Sequence, residues 1–209
     1  MGDPPNKPHF SLLRTFVLAD LITLGNAASG MGAVLLAMRY VAESDRTAMI
    51  VAMALLPLAL VLDVLDGLVA RKRNDSSPLG ADLDSLADVV SFGVAPATLG
   101  YALGLRGIVD AFFLIYFVGC GISRLARFNV TAAQLAGPSG KVAYYEGTPI
   151  PTSLLVVALL AWCFARGSVG DALPGGSFVV ADATFHPLAI VYFVSGSLMA
   201  SATVRIPKP

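Results

Sequence analysis

Six apolar stretches constrain this chain more than anything else in it. They run over Leu21–Tyr40, Ala48–Ala70, Leu83–Leu103, Gly107–Phe128, Pro151–Ala165 and Pro187–Ala202. Each is long enough, or nearly so, to cross the roughly 30 Å of a bilayer's hydrocarbon at about 1.5 Å of helix rise per residue; the fifth is short. Hydrophobic residues make up 56% of the 209 and charged ones only 13%, about half the charged share of an ordinary soluble domain. One core of this length cannot hide so much apolar surface, so the expected solvent is lipid. The expected fold class is all-α integral membrane, a single domain over residues 1–209 with six transmembrane helices. Ahead of the first span, residues 8–19 carry Phe10, Leu13, Phe16 and Val17 at helical spacing with Arg14 among them. That pattern suits an N-terminal amphipathic helix lying in the membrane interface, with an extension of the first span as the alternative.

The distribution of charge sets an expected orientation. Lys7, Arg14, Arg71, Lys72, Arg73, Arg124, Arg127, Lys141, Arg205 and Lys208 fall on one side of a six-span arrangement, and Arg39, Arg46, Arg106 and Arg166 on the other. Ten against four places both termini in the cytoplasm by the positive-inside tendency, in a cell's inner or cytoplasmic membrane. The net charge is zero, and no nucleic-acid partner is expected. Cys120 and Cys163 lie in apolar stretches and read as small core hydrophobes. His9 and His186 stand apart and read as neither metal ligands nor a pair. The polar start "MGDPPNKPHF" does not resemble a cleaved signal, and "RGSVGDALPGGSFVVADATF" reads as an external loop.

Against this background the stretch "DVLDGLVARKRNDSSPLGADLDSLAD" concentrates six carboxylates. Asp63 and Asp66 are three apart and share a helix face; Asp84 and Asp88 are four apart and share a face of the next helix. The short linker between the two helices makes them antiparallel neighbours, so the four side chains converge near the cytoplasmic membrane surface. Unneutralised, they repel one another. A divalent cation removes that problem, and all-oxygen ligation points to Mg²⁺ or Mn²⁺, with Ca²⁺ as an alternative. Asp75 and Asp82 sit off this face, and Asp82 is placed to cap the third span. Gly67, Ala70 and Gly80 leave room beside the carboxylates. Glycine in a helix costs about 1 kcal/mol relative to alanine, so the space is there for a purpose; a groove beside a pair of metals suits a nucleotide pyrophosphate.

The spacing Asp63-x-x-Asp66-Gly67-x-x-Ala70-Arg71, eight residues, Gly80-x-x-x-Asp84-x-x-x-Asp88 resembles the signature of the CDP-alcohol phosphotransferases, with every signature position occupied. The resemblance implies a six-helix, homodimeric membrane enzyme that transfers a phosphoalcohol from a CDP carrier to an acceptor hydroxyl. It also implies that the last aspartate, Asp88, is the general base. "SLADVVSFGVAPA", "CGISRLARFNV", "GTPIP", the closing "VRIPKP" and "TLGNAASG" are similar to the phosphatidylserine synthase branch of that family. For that branch the expected partners are CDP-diacylglycerol, L-serine, CMP and membrane lipid. The rival acceptors are glycerol 3-phosphate and inositol phosphate, and a divalent-cation transporter is the rival of another class.

Other residues take expected roles beside the aspartates. Arg71 is placed to offset phosphate charge, or to anchor the linker with Lys72 and Arg73. Asn26, an amide in the middle of the first span, is expensive unless it meets substrate, the aspartate pocket or another helix. Arg124 and Arg127 are three apart at the cytoplasmic end of the fourth span, with Asn129 close by. A guanidinium fork suits the carboxylate of serine or a lipid phosphate.

Overall fold

The computed structural model describes residues 17–73, 79–135, 144–180, 183–201 and 205–207. Residues 8–16, which carry most of the expected interfacial helix, lie outside that set, as do His9, Asp75 and Lys141. The described chain is mostly helical. Helices α1 (Leu18–Glu43) and α2 (Arg46–Arg73) pack along each other, and α3 (Gly80–Asp88) continues through a π-helical turn (Val89–Val94) into α4 (Ala95–Leu103). Then come α5 (Ile108–Leu135), α6 (Leu154–Ala165) and α7 (Ile190–Ala200). Short strands β1 (Tyr144–Glu146), β2 (Phe178–Val180), β3 (Ala183–Phe185) and β4 (Arg205–Pro207) form two antiparallel pairs, β1 with β4 and β2 with β3.

Among the described residues, four segments are long and apolar enough to cross a membrane: Leu18–Glu43, Arg46–Lys72, Gly80–Leu103 and Ile108–Thr131. The stretches expected as the fifth and sixth spans are shorter apolar helices, Ile150–Ala165 and Pro187–Ala200. Both open on a 3₁₀ turn with a proline in its first two positions, where the missing N–H has no helical acceptor to lose. The "external loop" between them contains the β2–β3 hairpin, formed by Phe178–Val180 and Ala183–Phe185.

Local chemistry explains the tight connection between α1 and α2. Ser44 closes α1 in the left-handed region at φ 57°, its N–H bonded to the Tyr40 carbonyl at 2.8 Å. Asp45 then starts α2, its Oδ1 accepting from the N–H groups of Thr47 at 2.9 Å and Ala48 at 3.2 Å. This is the usual work of an aspartate at a helix start. Asp82, expected to cap α3, does not: Leu79 holds the cap position without a side-chain bond, and Asp82 lies in the first turn, where its charge favours the helix dipole.

The π turn has a sequence cause. Pro96 has no N–H to offer the Phe92 carbonyl, and its ring crowds that carbonyl. The Ala95 N–H instead reaches back five residues to Val90. One inserted residue turns α4 by about 100° relative to a continuous helix, so the α3 and α4 faces are set independently. The span they form is the most buried of the four long segments. Around it Phe92, Leu99, Phe117 and Tyr192 are fully buried, and Tyr192 stands edge-on to Phe117 at 5.3 Å. The Tyr192 hydroxyl donates to the Pro96 carbonyl at 2.7 Å.

At the opposite end of the bundle from Asp63 and Asp84, Asp110 is completely buried and accepts three hydrogen bonds. These come from the N–H of Gly107 at 3.0 Å, the N–H of His186 at 2.8 Å and the His186 Nδ1 at 2.6 Å. His186 thereby ties the loop before α7 to the start of α5. Cys120 and Cys163 are both free and buried, as expected of core hydrophobes.

Helix α1 meets the π turn at very close range. A Cβ built on Gly30 would lie 2.6 Å from the Ser91 Cα and 2.9 Å from its nitrogen. Backbone cannot yield as a flexible side chain does, so Gly30→Ala is expected to push α1 away from α3 at a cost of about 1–3 kcal/mol. On a chain of this size that lowers the melting temperature by several degrees, at about 2–4 °C per kcal/mol. Thermal denaturation of the purified protein in detergent checks this; an unchanged melting temperature refutes the close crossing.

Candidate active site

Helix α2 carries Asp63 and Asp66 one turn apart, about 10 and 7 residues before its last residue, Arg73, and α3 carries Asp84 and Asp88 one turn apart in its nine residues. One carboxylate oxygen from each of Asp63, Asp66 and Asp84 lies within 4.8 Å of the others. Asp66 and Asp88 are buried, while Asp63 and Asp84 are half-buried. Asp88 falls outside the triplet, though within electrostatic reach of all three members. Helix rise accounts for the split: four residues along α3 move the carboxylate about 6 Å deeper, so four side chains on two helices do not all reach one point.

Two unit charges 4 Å apart repel by about 4 kcal/mol at an effective dielectric near 20. Three carboxylates at comparable range must therefore be relieved by a bound cation or by uptake of protons. The donor set fits a hard divalent ion, since it consists only of carboxylate oxygens. Next to the triplet the surface is open. A Cβ on Gly67 would meet nothing nearer than the Arg71 Nη2 at 3.9 Å. Ala70 and Gly80 are half-buried and Arg71 is exposed. The small residues thus leave space beside the carboxylates, with a guanidinium at its edge.

The remaining members of the expected site come from α1 and α5. Asn26 is completely buried; its Nδ2 donates to the Asp88 Oδ1 at 3.4 Å, and its backbone carbonyl accepts from the Ser91 hydroxyl at 2.9 Å. Its amide oxygen has no hydrogen-bond partner among the described residues. Asn129 donates to the Ser85 Oγ at 3.0 Å, which ties α5 to the residue beside Asp84. Arg127 donates from Nη2 to the Ala200 carbonyl at the end of α7, at 3.0 Å. The Arg124 guanidinium lies over the Phe128 ring, 5.9 Å from its centroid.

Two residues of this neighbourhood were not anticipated. Thr23 is buried, and its Oγ1 sits 2.5 Å from the Asp66 Oδ2. Asp20 is buried one turn earlier, accepts from the Val17 N–H at 3.1 Å and lies within electrostatic reach of Asp66. The available signal was the three-residue spacing of Asp20, Thr23 and Asn26 in an apolar span, which lines all three along one side of α1.

The sequence is similar to that of known proteins. Residues 16–195 match the model of the family described as CDP-alcohol phosphatidyltransferase. The chain is 44% identical over 207 residues to a Saccharomyces cerevisiae protein named CDP-diacylglycerol--serine O-phosphatidyltransferase, covering 98% of this chain and 75% of that one. It is 35% identical over 204 residues to a protein of the same name from Methanocaldococcus jannaschii, covering 95% and 89%. An archaetidylserine synthase from Methanothermobacter thermautotrophicus is 40% identical over 148 residues, 68% of this chain and 56% of that one. This chain belongs to the CDP-alcohol phosphatidyltransferase family.

Removing one charge from the triplet should have two opposite effects. Asp84→Asn relieves repulsion, so without metal its melting temperature should exceed the wild type's by about 2–4 °C, roughly 1 kcal/mol. With millimolar Mg²⁺ or Mn²⁺ the wild type should gain stability through binding and the variant should gain little. A differential scan with and without EDTA reads both. Equal metal-induced gains in the two proteins would mean that Asp84 holds no ion.

Proposed function

We propose that this chain is a CDP-diacylglycerol–serine O-phosphatidyltransferase, moving the phosphatidyl group of CDP-diacylglycerol to the hydroxyl of L-serine and releasing CMP. The observation that carries this reading is the 44% identity over 98% of the chain to the yeast protein of that name. The clustering of Asp63, Asp66 and Asp84 supports it independently. The two other relatives described above also carry serine in their names, which favours serine over glycerol 3-phosphate or inositol phosphate as the acceptor.

The roles of the residues follow from chemistry. Asp63, Asp66, Asp84 and Asp88 are the ligands for Mg²⁺ or Mn²⁺, held as a pair of ions; Ca²⁺ satisfies the same donors. Bound there, a divalent ion neutralises charge on the pyrophosphate and on the departing CMP. Gly67, Ala70 and Gly80 admit the cytidine end of the donor, with Arg71 offsetting its phosphate charge and Asn26 supplying an amide contact. Asp88 accepts the proton of the serine hydroxyl as that oxygen bonds to the phosphorus carrying diacylglycerol. The bond from that phosphorus to the CMP oxygen breaks in line. Burial and the contact from Asn26 support this role for Asp88, because a base must be held in one orientation.

On the acceptor side, Arg124, Arg127 and Asn129 take the serine carboxylate or the lipid phosphate. Arg127 has committed one of its five donors to Ala200 and keeps the others, and Asn129 is engaged with Ser85 beside Asp84. Residues 1–209 act as one domain, working as a homodimer in the inner membrane. The helices at Ile150–Ala165 and Pro187–Ala200 complete six spans, preceded by an interfacial N-terminal helix. The ten-to-four bias of basic residues supports a cytoplasmic site and cytoplasmic termini.

Purified protein with CDP-diacylglycerol and Mg²⁺ or Mn²⁺ should release CMP when serine is added, and not with glycerol 3-phosphate or inositol phosphate. Asp88→Asn should lower kcat by about 10²–10⁴-fold, the span of general-base contributions, with CDP affinity within a few-fold of wild type. CMP release that follows glycerol 3-phosphate instead would sink the acceptor assignment. Unchanged turnover in Asp88→Asn would sink the base.

A further inference from the structure

We infer that Thr23 is a positioning residue for the metal centre: its hydroxyl, donated from α1 across to α2, fixes one oxygen of Asp66 so that the other is presented to the ion. The inference rests on the metal-ligand reading of Asp66 given above. It assigns a function to a buried threonine that the reaction chemistry leaves unused.

The geometry leaves little room for a different role. Thr23 is 4% exposed and Asp66 6% exposed, so water does not compete for either group. The Thr23 Oγ1 lies 2.5 Å from the Asp66 Oδ2 and 3.1 Å from the Ala19 carbonyl one turn back. A hydroxyl has one proton for these two acceptors. The ordinary destination of a helical threonine proton is the carbonyl four residues earlier. Here the carboxylate is both closer and charged, and hydrogen bonds to ionised acceptors are shorter and about twice as strong as neutral ones. The proton therefore goes to Asp66. In a helix threonine divides between two χ1 rotamers, and the contacts of Oγ1 with Asp66 and the Ala19 carbonyl hold it in one of them.

What this does for the site follows from the charge around it. Asp66 has Asp63 and Asp84 within the same 4.8 Å cluster, with Asp20 in electrostatic reach. Left alone, its carboxylate would rotate away from them. A fixed donor on one oxygen resists that rotation and sets the direction of the other. Partners that orient metal ligands are commonly worth about 10–100-fold in metal affinity.

The test is Mn²⁺ binding to the full-length protein in detergent, followed by the loss of the free-ion electron paramagnetic resonance signal, for wild type, Thr23→Val and Thr23→Ser. Valine keeps the branched shape and removes the proton donor; serine keeps the donor. The expected result is a Kd raised by about 10-fold or more in Thr23→Val and within about two-fold in Thr23→Ser, with metal-free melting temperatures that do not follow the same order. Wild-type Mn²⁺ affinity in Thr23→Val would overturn the inference. So would parallel losses of affinity and metal-free stability in both variants, which would mark Thr23 as a packing residue only. The readout needs no turnover: wild-type protein that binds Mn²⁺ but releases no CMP with serine would sink the proposed activity and leave this inference standing.

Discussion

Like charges held close at the rim of an apolar bundle set the terms for everything else in this molecule. The carboxylates of Asp63, Asp66 and Asp84 converge to within 4.8 Å, in a chain where charge is scarce and lipid is the surrounding solvent. Such a cluster persists only if bound cations or protons offset the repulsion and if the helices carrying it cannot separate. The first requirement suits a hard divalent ion. The second explains the architecture of α1, which contributes none of the four signature aspartates yet touches the machinery at several places.

One face of α1 alternates between gripping and yielding. Thr23 reaches Asp66 on α2, and Asn26 reaches Asp88 on α3. Further along, Gly30, Ala33 and Ala37 are buried and small. In a membrane bundle small residues let backbones approach, because packing and polar contacts do the work that water exclusion does elsewhere. The near-contact of Gly30 with the Ser91 backbone and the hydrogen bond from Ser91 to the Asn26 carbonyl fall on the same stretch. The π turn after Asp88 makes this crossing compatible with the packing of α4. It lets α3 direct its aspartates toward α1 and α2 while α4 independently offers its own face to Tyr192. π turns of this kind often occur at functional sites; here Pro96, with no N–H to offer Phe92, calls for it.

The aspartate helices and the converging faces were legible because both rest on local periodicity: apolar length gives the helices, and i, i+3 and i, i+4 spacing gives the faces. Residue-level division of labour was not legible in the same way. Asp88 reads as equivalent to Asp84 in spacing, but depth along the helix axis separates it from the triplet. Arg127 and Asn129 read as an anion site together with Arg124, and spacing along the chain does not show that Ala200 and Ser85, distant in sequence, each take one of their donors. Thr23 and Asp20 passed unnoticed because a single threonine or a carboxylate near a span's start is unremarkable until the neighbouring helix is placed. The fifth and sixth apolar stretches contain enough greasy residues for spans, yet each opens on a 3₁₀ turn carrying Pro151 or Pro187, and the α-helices that follow have 12 and 11 residues. Hydropathy counts residues and is blind to that.

The two ends of the bundle solve opposite problems. At the end away from the aspartates, Asp110 has its carboxylate saturated by two backbone N–H groups and His186, and the loops there are drawn down so tightly that a Cβ on Gly107 would overlap the Thr184 carbonyl. A buried polar group with every partner satisfied rigidifies its surroundings. At the aspartate end, Gly67 has open space beside it, and the carboxylates of Asp63 and Asp84 are left half accessible. An enzyme that takes one substrate from lipid and another from water needs such an opening, and an opening lined by repelling charges is intrinsically destabilising. Concentrating satisfied polar contacts at the closed end, and bracing the open end from α1, allows the helices to stay registered while the site remains accessible.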